Sequence, residues 1–425
     1  MPKNPDATIP RRAPGRAPWL LGPAMVAGVA YLDPGNVASN MTAGAVFGYL
    51  LVWVVVLGNV MAWLIQYLSA KLGIVTGESL PQLLGRRIHR PWARRAYWLQ
   101  AELVAMATDV AEVIGGAVAL DLLFGIPLLW GGAITGVVSI ALLMVQSRRG
   151  ARAFETVVIG LLIIIAVGFT AGLFFAPPDP AAVVGGLVPR FDGATSVLLA
   201  ASILGATIMP HAIYAHSALS RDRFAPAEPT GAADLEAARG VSTPRLLRAT
   251  RWDVTIALAV AGTVNLAILL LAAANLTGVE GTDSLEGAYA ALRDGLGPMV
   301  ATFFAVGLLA SGLASTSVGA YAGAEIMHGL LRVRIPLLPR RLVTLIPALL
   351  ILGAGIDPTL ALVLSQVVLS FGIPFALIPL VALTARREVL GEYRNRTLTT
   401  VAGVAASVFL VALNAVLLWL VFSGG

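Results

Sequence analysis

The feature that most constrains this chain is a recurring run of apolar residues with no Asp, Glu, Lys or Arg. Such runs occupy residues 50–70, 126–146, 156–176, 254–275, 296–324, 342–356, 358–385 and 397–425, the sixth being short. A hydrocarbon core about 30 Å thick is crossed by roughly 20 apolar helical residues. In lipid every backbone polar group must find its partner inside the segment, which leaves the helix as the spanning element for runs of this length. Three further runs are apolar but interrupted: 20–48 by Asp33-Pro34-Gly35-Asn36, 96–124 by Glu102, Asp109, Glu112 and Asp121, and 194–220 by Met209-Pro210-His211. Together they predict an all-α polytopic membrane protein with 11 transmembrane helices. Charged residues make up 12% of the chain, against roughly 25% in soluble domains, which excludes a cytosolic enzyme and a disordered or nucleic-acid-binding chain. With no cysteine there is no disulfide framework, zinc finger, iron–sulfur site or thiol nucleophile.

Charge sets the orientation. With the tail 1–19 in the cytoplasm, 27 of the 29 Lys and Arg fall on inner segments and only Arg190 and Arg293 fall outside. That split is a strong positive-inside signal. It places the protein in the cell (inner) membrane with the N-terminus cytoplasmic and the C-terminus extracytoplasmic. Losing the short run 342–356 would give ten spans and spoil the split. Asp121, Asp179, Asp192, Glu280, Asp283, Glu286, Asp294 and Asp357 lie on the outer side. They either draw cations to the mouth or simply solubilise loops, since exposed charge is screened within about 8 Å. The basic inner face matches an anionic leaflet, so the lipid bilayer is the partner and nucleic acid is not. Pro226, Pro229, Gly231 and Pro244 mark 221–251 as a flexible cytoplasmic loop.

Proline inside a helix removes a donor and clashes with the preceding turn. Spans one and six each carry such a break near mid-depth, at Pro34-Gly35 and at Pro210, five spans apart. Span one enters from the cytoplasm and span six from outside. Residues 20–177 (spans 1–5) and 194–385 (spans 6–10) therefore read as a 5+5 inverted repeat with helices 1 and 6 discontinuous, followed by an eleventh helix over 396–422. Paired breaks of this kind point to a midplane binding site in a secondary transporter. Asp33 sits in an apolar run, where an unpaired carboxylate is costly and marks a functional site. Asn36 adds a neutral oxygen. Met209 offers a thioether, and Pro210 leaves the carbonyl of Ala206 without its helical partner. Mixed oxygen and sulfur is a poor set for Ca²⁺ or Mg²⁺ and suits Mn²⁺, Fe²⁺ and softer Cd²⁺. Taken singly, Met209 also fits plain core packing.

The two motifs, Asp33-Pro34-Gly35-Asn36 and Met209-Pro210-His211, closely resemble those of the Nramp (natural resistance-associated macrophage protein) family of proton-coupled divalent metal transporters. The resemblance runs from about residue 20 to residue 420. It implies a LeuT-type fold and import of Mn²⁺ or Fe²⁺, with Cd²⁺ and Co²⁺ also carried, by alternating access. The family's metal ligands fall on Asp33, Asn36, Met209 and the carbonyl of Ala206. The carbonyl of Ala30 and the side chain of Gln366 contribute in some states.

Glu102, Asp109 and Glu112 recur along span three; seven residues bring the first two to within about 20° of one another around the helix. They form either an acid chain toward the cytoplasm, with Arg340 and Arg341 at the start of span nine as partners, or a static ion-pair network. The first alternative resembles the Nramp proton route, which leaves the metal-site aspartate along helix three. His211, directly after the second break, is a candidate relay to Asp33; His216, on the opposite face, reads as packing or as a water-lined gate position. Small residues between Gly307 and Gly323 allow close helix packing.

Two other functions compete with metal import. A sodium-coupled organic-solute carrier on the same fold would want small and hydroxyl residues at both breaks. An intramembrane metal-dependent enzyme would need a His-Glu-x-x-His motif or clustered ligands, and none of the four histidines is so arranged. The expectation is a monomeric carrier with no cofactor and no catalysis, whose partners are its metal cargo, protons and lipid.

Overall fold

The computed structural model describes residues 22–149, 151–224, 235–333 and 337–423. The expected tail 1–19, and Pro226, Pro229 and Gly231, lie outside them. The first half runs α1 Pro23–Val29, extended by a 3₁₀ turn Ala30–Leu32, α2 Pro34–Phe47, α3 Val52–Thr76, α4 Leu80–Arg87 and α5 Pro91–Phe124. It continues with α6 Leu128–Arg149, α7 Ala151–Thr170, α8 Gly172–Phe175 and α9 Pro180–Gly185. The second half holds α10 Gly193–Thr207, α11 Pro210–Arg223, α12 Leu235–Arg239, α13 Thr243–Asn275 and α14 Leu285–Leu296. Then follow α15 Pro298–Ile326 with a π turn Met327–Leu331, α16 Leu337–Gly353, α17 Pro358–Ala385, α18 Arg387–Leu390 and α19 Thr397–Ser423. There is no strand among the described residues.

Proline starts many of these helices and glycine ends several. Pro lies in the first turn of α2, α5, α11, α13, α15 and α17, where its missing N–H costs nothing and its φ is already helical. Gly77 and Gly125 close α3 and α5 in the left-handed region, open to a residue without Cβ. This punctuation corrects one expectation. Pro244 opens α13 rather than marking a loop, so Arg245, Arg248 and Arg251 ride on a helix that continues into the membrane.

Eight helices among the described residues are long and apolar enough to cross a bilayer, α10 and α11 counting as one. The other three expected spans are shorter. The first is split by its break, an apolar stretch of α6 covers Leu128–Leu142, and α16 has 17 residues.

The helix pairs come in counterparts. α11 packs on α3 as α2 packs on α13, and α17 packs on α5 as α7 packs on α15, while α5 against α15 forms the central contact. Close approach is purchased with glycine at equivalent joints: a Cβ on Gly73 would strike the Ser217 carbonyl oxygen, and one on Gly44 the Leu269 carbonyl oxygen. Helices α10 and α11 are almost wholly buried, whereas most of α7 and α19 faces outward. Their outer faces show Ile159, Ile163, Val167, Val401, Val404 and Val408, side chains that suit lipid.

The N-terminus of α1 has no cap of its own. Asp253, on α13, supplies one from across the bundle. Its Oδ2 accepts the Ala24 N–H at 2.9 Å, and both carboxylate oxygens accept the Gly22 N–H at 3.1 Å.

Candidate metal site and its polar surroundings

The two breaks have the same construction. Helix α1 tightens into its 3₁₀ turn, Asp33 is extended (φ −68°, ψ 162°), and Pro34 starts α2. Helix α10 ends at Thr207, Met209 is extended (φ −65°, ψ 123°), and Pro210 starts α11. Asp33 and Met209 are thus equivalent residues of the two halves, as are Ala30 and Ala206, each four before a proline. Proline has no N–H, so the carbonyls of Ala30 and Ala206 lose the ordinary i+4 donor. All four residues are out of reach of solvent.

Asp33 caps α2, its Oδ1 accepting the Asn36 N–H at 2.9 Å. Its Oδ2 accepts Gln366 Nε2 from α17 at 3.0 Å, which leaves Gln366 Oε1 buried with no partner among the described residues. Gly35 makes this possible, because a Cβ there would overlap the Gln366 amide. Asn36 joins the two breaks directly: its Nδ2 donates to the Tyr31 carbonyl at 2.5 Å and to the Ala206 carbonyl at 3.3 Å. Its Oδ1 accepts Asn40 Nδ2 at 2.9 Å. Of the six residues implied as ligands, hydrogen bonds bring Asp33, Asn36, Ala206 and Gln366 together. Met209 and Ala30 occupy the corresponding break positions, fully buried. Among the described residues no group of three or more His, Cys, Asp or Glu could hold a metal. A cation here would meet one carboxylate, neutral oxygens and a thioether.

Sequence reading missed a second polar layer. His216 does more than pack: its Nδ1 lies 2.7 Å from Gln66 Oε1, and Gln66 Nε2 donates to the Tyr31 hydroxyl. The Tyr31 carbonyl in turn accepts Asn265 Nδ2 at 2.9 Å as well as Asn36. Uncharged polar residues are ordinary in membrane helices, so nothing in the pattern marks Tyr31, Gln66 or Asn265.

The acids of α5 meet the expected arginines. Arg341 Nη1 lies 2.6 Å from Asp109 Oδ1 and 3.3 Å from Glu112 Oε2, and Arg341 also donates to Ser139 at 3.0 Å and Thr316 at 3.4 Å. Arg340 pairs with Glu102 at 2.9 Å. The small residues of α15 make room for these groups: a Cβ on Gly319 would sit 3.1 Å from Glu112 Oε1, and one on Gly323 would overlap the Arg340 guanidinium. One oxygen of each acid, Glu102 Oε2, Asp109 Oδ2 and Glu112 Oε1, is buried without a hydrogen-bond partner among the described residues. His211 Nδ1 lies 3.2 Å from the Thr108 hydroxyl on α5. Its polar contact is therefore with the acid-bearing helix rather than with Asp33.

The sequence model of the natural resistance-associated macrophage protein-like (Nramp) family matches residues 24–420. A divalent metal cation transporter MntH of Mycobacterium tuberculosis is 60% identical over 406 residues, 96% of this chain and 92% of that protein. A divalent metal cation transporter MntH of Deinococcus radiodurans is 46% identical, covering 95% of this chain and 90% of that one. Among solved structures, a manganese transporter of Eremococcus coleocola, in complex with an aromatic bis-isothiourea substituted compound, superposes with a TM-score of 0.82. It has 31% identity over 95% of this chain and 88% of its own. With the paired breaks, the acid-bearing helix and near full-length matches in agreement, the chain belongs to the Nramp family.

Proposed function

We propose that this protein is a proton-coupled importer of divalent transition metals, Mn²⁺ or Fe²⁺ with Cd²⁺ and Co²⁺ also carried, working by alternating access. It is a carrier, not an enzyme, and needs no cofactor; the metal is its cargo. The observation that carries the reading is the equivalence of Asp33 and Met209 at two matching helix breaks that Asn36 bridges through the Ala206 carbonyl. The names of its relatives support metal transport as the activity.

In this reading Asp33, Asn36, Met209 and the carbonyl of Ala206 hold the ion, and the Ala30 carbonyl and Gln366 join as the helices move. The carboxylate offsets the cost of stripping water from a divalent cation. The thioether disfavours Ca²⁺ and Mg²⁺. Repeats 20–177 and 194–385 supply one broken helix each, and helix 396–422 stands outside them, giving eleven spans with the N-terminus cytoplasmic in the cell inner membrane. The carrier works as a monomer in the lipid bilayer.

Protons leave Asp33 along α5, through Asp109, Glu112 and Glu102 beside Arg341 and Arg340, with His211 next to that route. The unpartnered oxygen on each acid favours this over a purely static network, since each can receive a proton there while the arginine keeps its hydrogen bond to the other oxygen. The test is Mn²⁺ uptake into proteoliposomes with and without an inward proton gradient. Wild-type uptake is expected to rise with the gradient, and Asp33→Asn to lose metal uptake and metal-linked proton influx together. Normal uptake by Asp33→Asn would refute the site.

A further inference from the structure

Coordination by Asn36 requires its amide oxygen to face the ion, and in this structure it faces away. Two carbonyl oxygens, of Tyr31 at 2.5 Å and Ala206 at 3.3 Å, surround one end of the amide. That end is the nitrogen, because an oxygen there would meet two sets of lone pairs. The amide oxygen points the other way, 2.9 Å from Asn40 Nδ2. As placed, Asn36 offers N–H groups to the carbonyl expected to bind the cation.

We infer that Asn40 is a positioning residue for the cargo: the side-chain amides of Asn36 and Asn40 turn as a pair, and Asn36 presents Oδ1 to the ion only when Asn40 presents Oδ1 to Asn36. The inference rests on reading Asn36 as a metal ligand. Its basis is an accounting of donors and acceptors. A half-turn of the Asn36 amide about its last bond exchanges Nδ2 and Oδ1, a motion the broad two-fold preference of that torsion allows. The turned Nδ2 then takes the position now held by Oδ1, beside Asn40 Nδ2, and two donors face each other. Burying an amide N–H without an acceptor is costly. The cure is already in place. Asn40 Oδ1 is fully buried and has no hydrogen-bond partner among the described residues. Turning Asn40 as well brings that oxygen to Asn36 Nδ2. Asn40 gives up its side-chain bond to the Asn36 carbonyl, 2.9 Å long, and its turned oxygen has to swing clear of that carbonyl oxygen, but α2 runs unbroken through both residues. The Asn36 carbonyl therefore keeps the helical N–H of residue 40.

The pair thus has two arrangements, the second reached only if the turned Asn36 oxygen draws back from the Tyr31 carbonyl and the turned Asn40 oxygen from the Asn36 carbonyl. In one, the amides tie Tyr31, Ala206 and the second break together by hydrogen bonds. In the other, the ion replaces the Asn36 N–H at the Ala206 carbonyl. A residue at position 40 that can only accept would favour the second arrangement, and one that can do neither would leave the turned Asn36 N–H unsatisfied. Asn40→Asp is expected to tighten Mn²⁺ binding about tenfold, and Asn40→Leu to weaken it about tenfold, the scale of one buried hydrogen bond. Because release requires the reverse turn, Asn40→Asp should also lower maximal uptake while lowering KM.

The experiment measures Mn²⁺ and Cd²⁺ dissociation constants by titration calorimetry of purified protein, and KM and maximal rate of Mn²⁺ uptake in proteoliposomes. Each Asn40 substitution is made in the wild type and in Asn36→Ala. If Asn40 acts through the Asn36 amide, its effects vanish in the Asn36→Ala background. An Asn40→Asp effect of equal size with Asn36 removed would show plain charge attraction and overturn the inference. So would unchanged affinity in both variants while Asp33→Asn abolishes binding, an outcome that leaves the transport reading intact. Absence of metal binding by the wild type would overturn the transport reading and this inference with it. Asp matches Asn in size, so the test holds even where Asn40→Leu fails to fold.

Discussion

Removing the cap that α13 places on α1 should open the inner side of the bundle. In Asp253→Ala the N–H groups of Gly22 and Ala24 lose a carboxylate acceptor that reaches them from another helix. Two bonds to a charged acceptor, at about 1.5 kcal/mol each, come to about 3 kcal/mol. This is roughly 150-fold in an equilibrium constant. The stabilisation exists only while α1 lies against α13, so its loss shifts the balance toward conformations in which α1 has swung away. Ala27, on α1, is 1% exposed, and the chain has no cysteine, so Ala27→Cys gives a single reporter. Its labelling by a membrane-impermeant maleimide applied to the cytoplasmic face measures the open population. The rate should rise about 100-fold or more in Asp253→Ala, and about tenfold in Asp253→Asn, which keeps one neutral acceptor. Equal rates in all three proteins would refute the latch.

Met209→Ala should keep Mn²⁺ uptake, lose preference for Cd²⁺ and become sensitive to millimolar Ca²⁺, because water replaces sulfur and restores an all-oxygen shell; identical Ca²⁺ insensitivity would return Met209 to packing. Glu112→Gln should flatten the pH dependence of uptake while leaving Mn²⁺ KM within about twofold, as the proposed proton route through this acid requires; a KM loss matching that of Asp33→Asn would point to a shared site. Arg341→Met should destabilise the protein by about 3–5 kcal/mol, the cost of leaving buried charges uncompensated. Adding Asp109→Asn and Glu112→Gln should recover much of that in thermal-unfolding midpoints measured in detergent, and no recovery would show that Arg341 serves through its bonds to Ser139 and Thr316 instead.

Much of the site was legible because the sequence breaks strong rules there. A proline at mid-depth strands a carbonyl, and a carboxylate in an apolar run demands company; both signals survive without any knowledge of the fold. The pairing of α5 with α16 followed from the same logic, since three acids and two arginines in the membrane have few other partners. Which arginine takes which acid was not legible, because one turn of register decides it. The Tyr31, Gln66, His216 and Asn265 layer escaped for a different reason. A single amide or hydroxyl in a helix can satisfy itself locally, so its tertiary bond leaves no mark on the pattern. Asp253 carries no signal of its own in the sequence, and only the arrival of α1, some 230 residues away in sequence, makes it a cap.

The matched construction of the two breaks also bears on how long the cargo stays. Equivalent positions could have held the same side chain, and a second carboxylate in place of Met209 would neutralise a divalent ion completely. Such a pocket would be a trap. With an association rate constant of about 10⁷ M⁻¹s⁻¹, a nanomolar site releases its ion about once in 100 seconds, whereas a micromolar one releases it about ten times per second. In the proposed site a lone carboxylate and a thioether would leave the loaded pocket with net positive charge, which would shorten the residence time. On the proposed assignment, the difference between the two halves at this one position would separate a protein that stores a metal from one that passes it on.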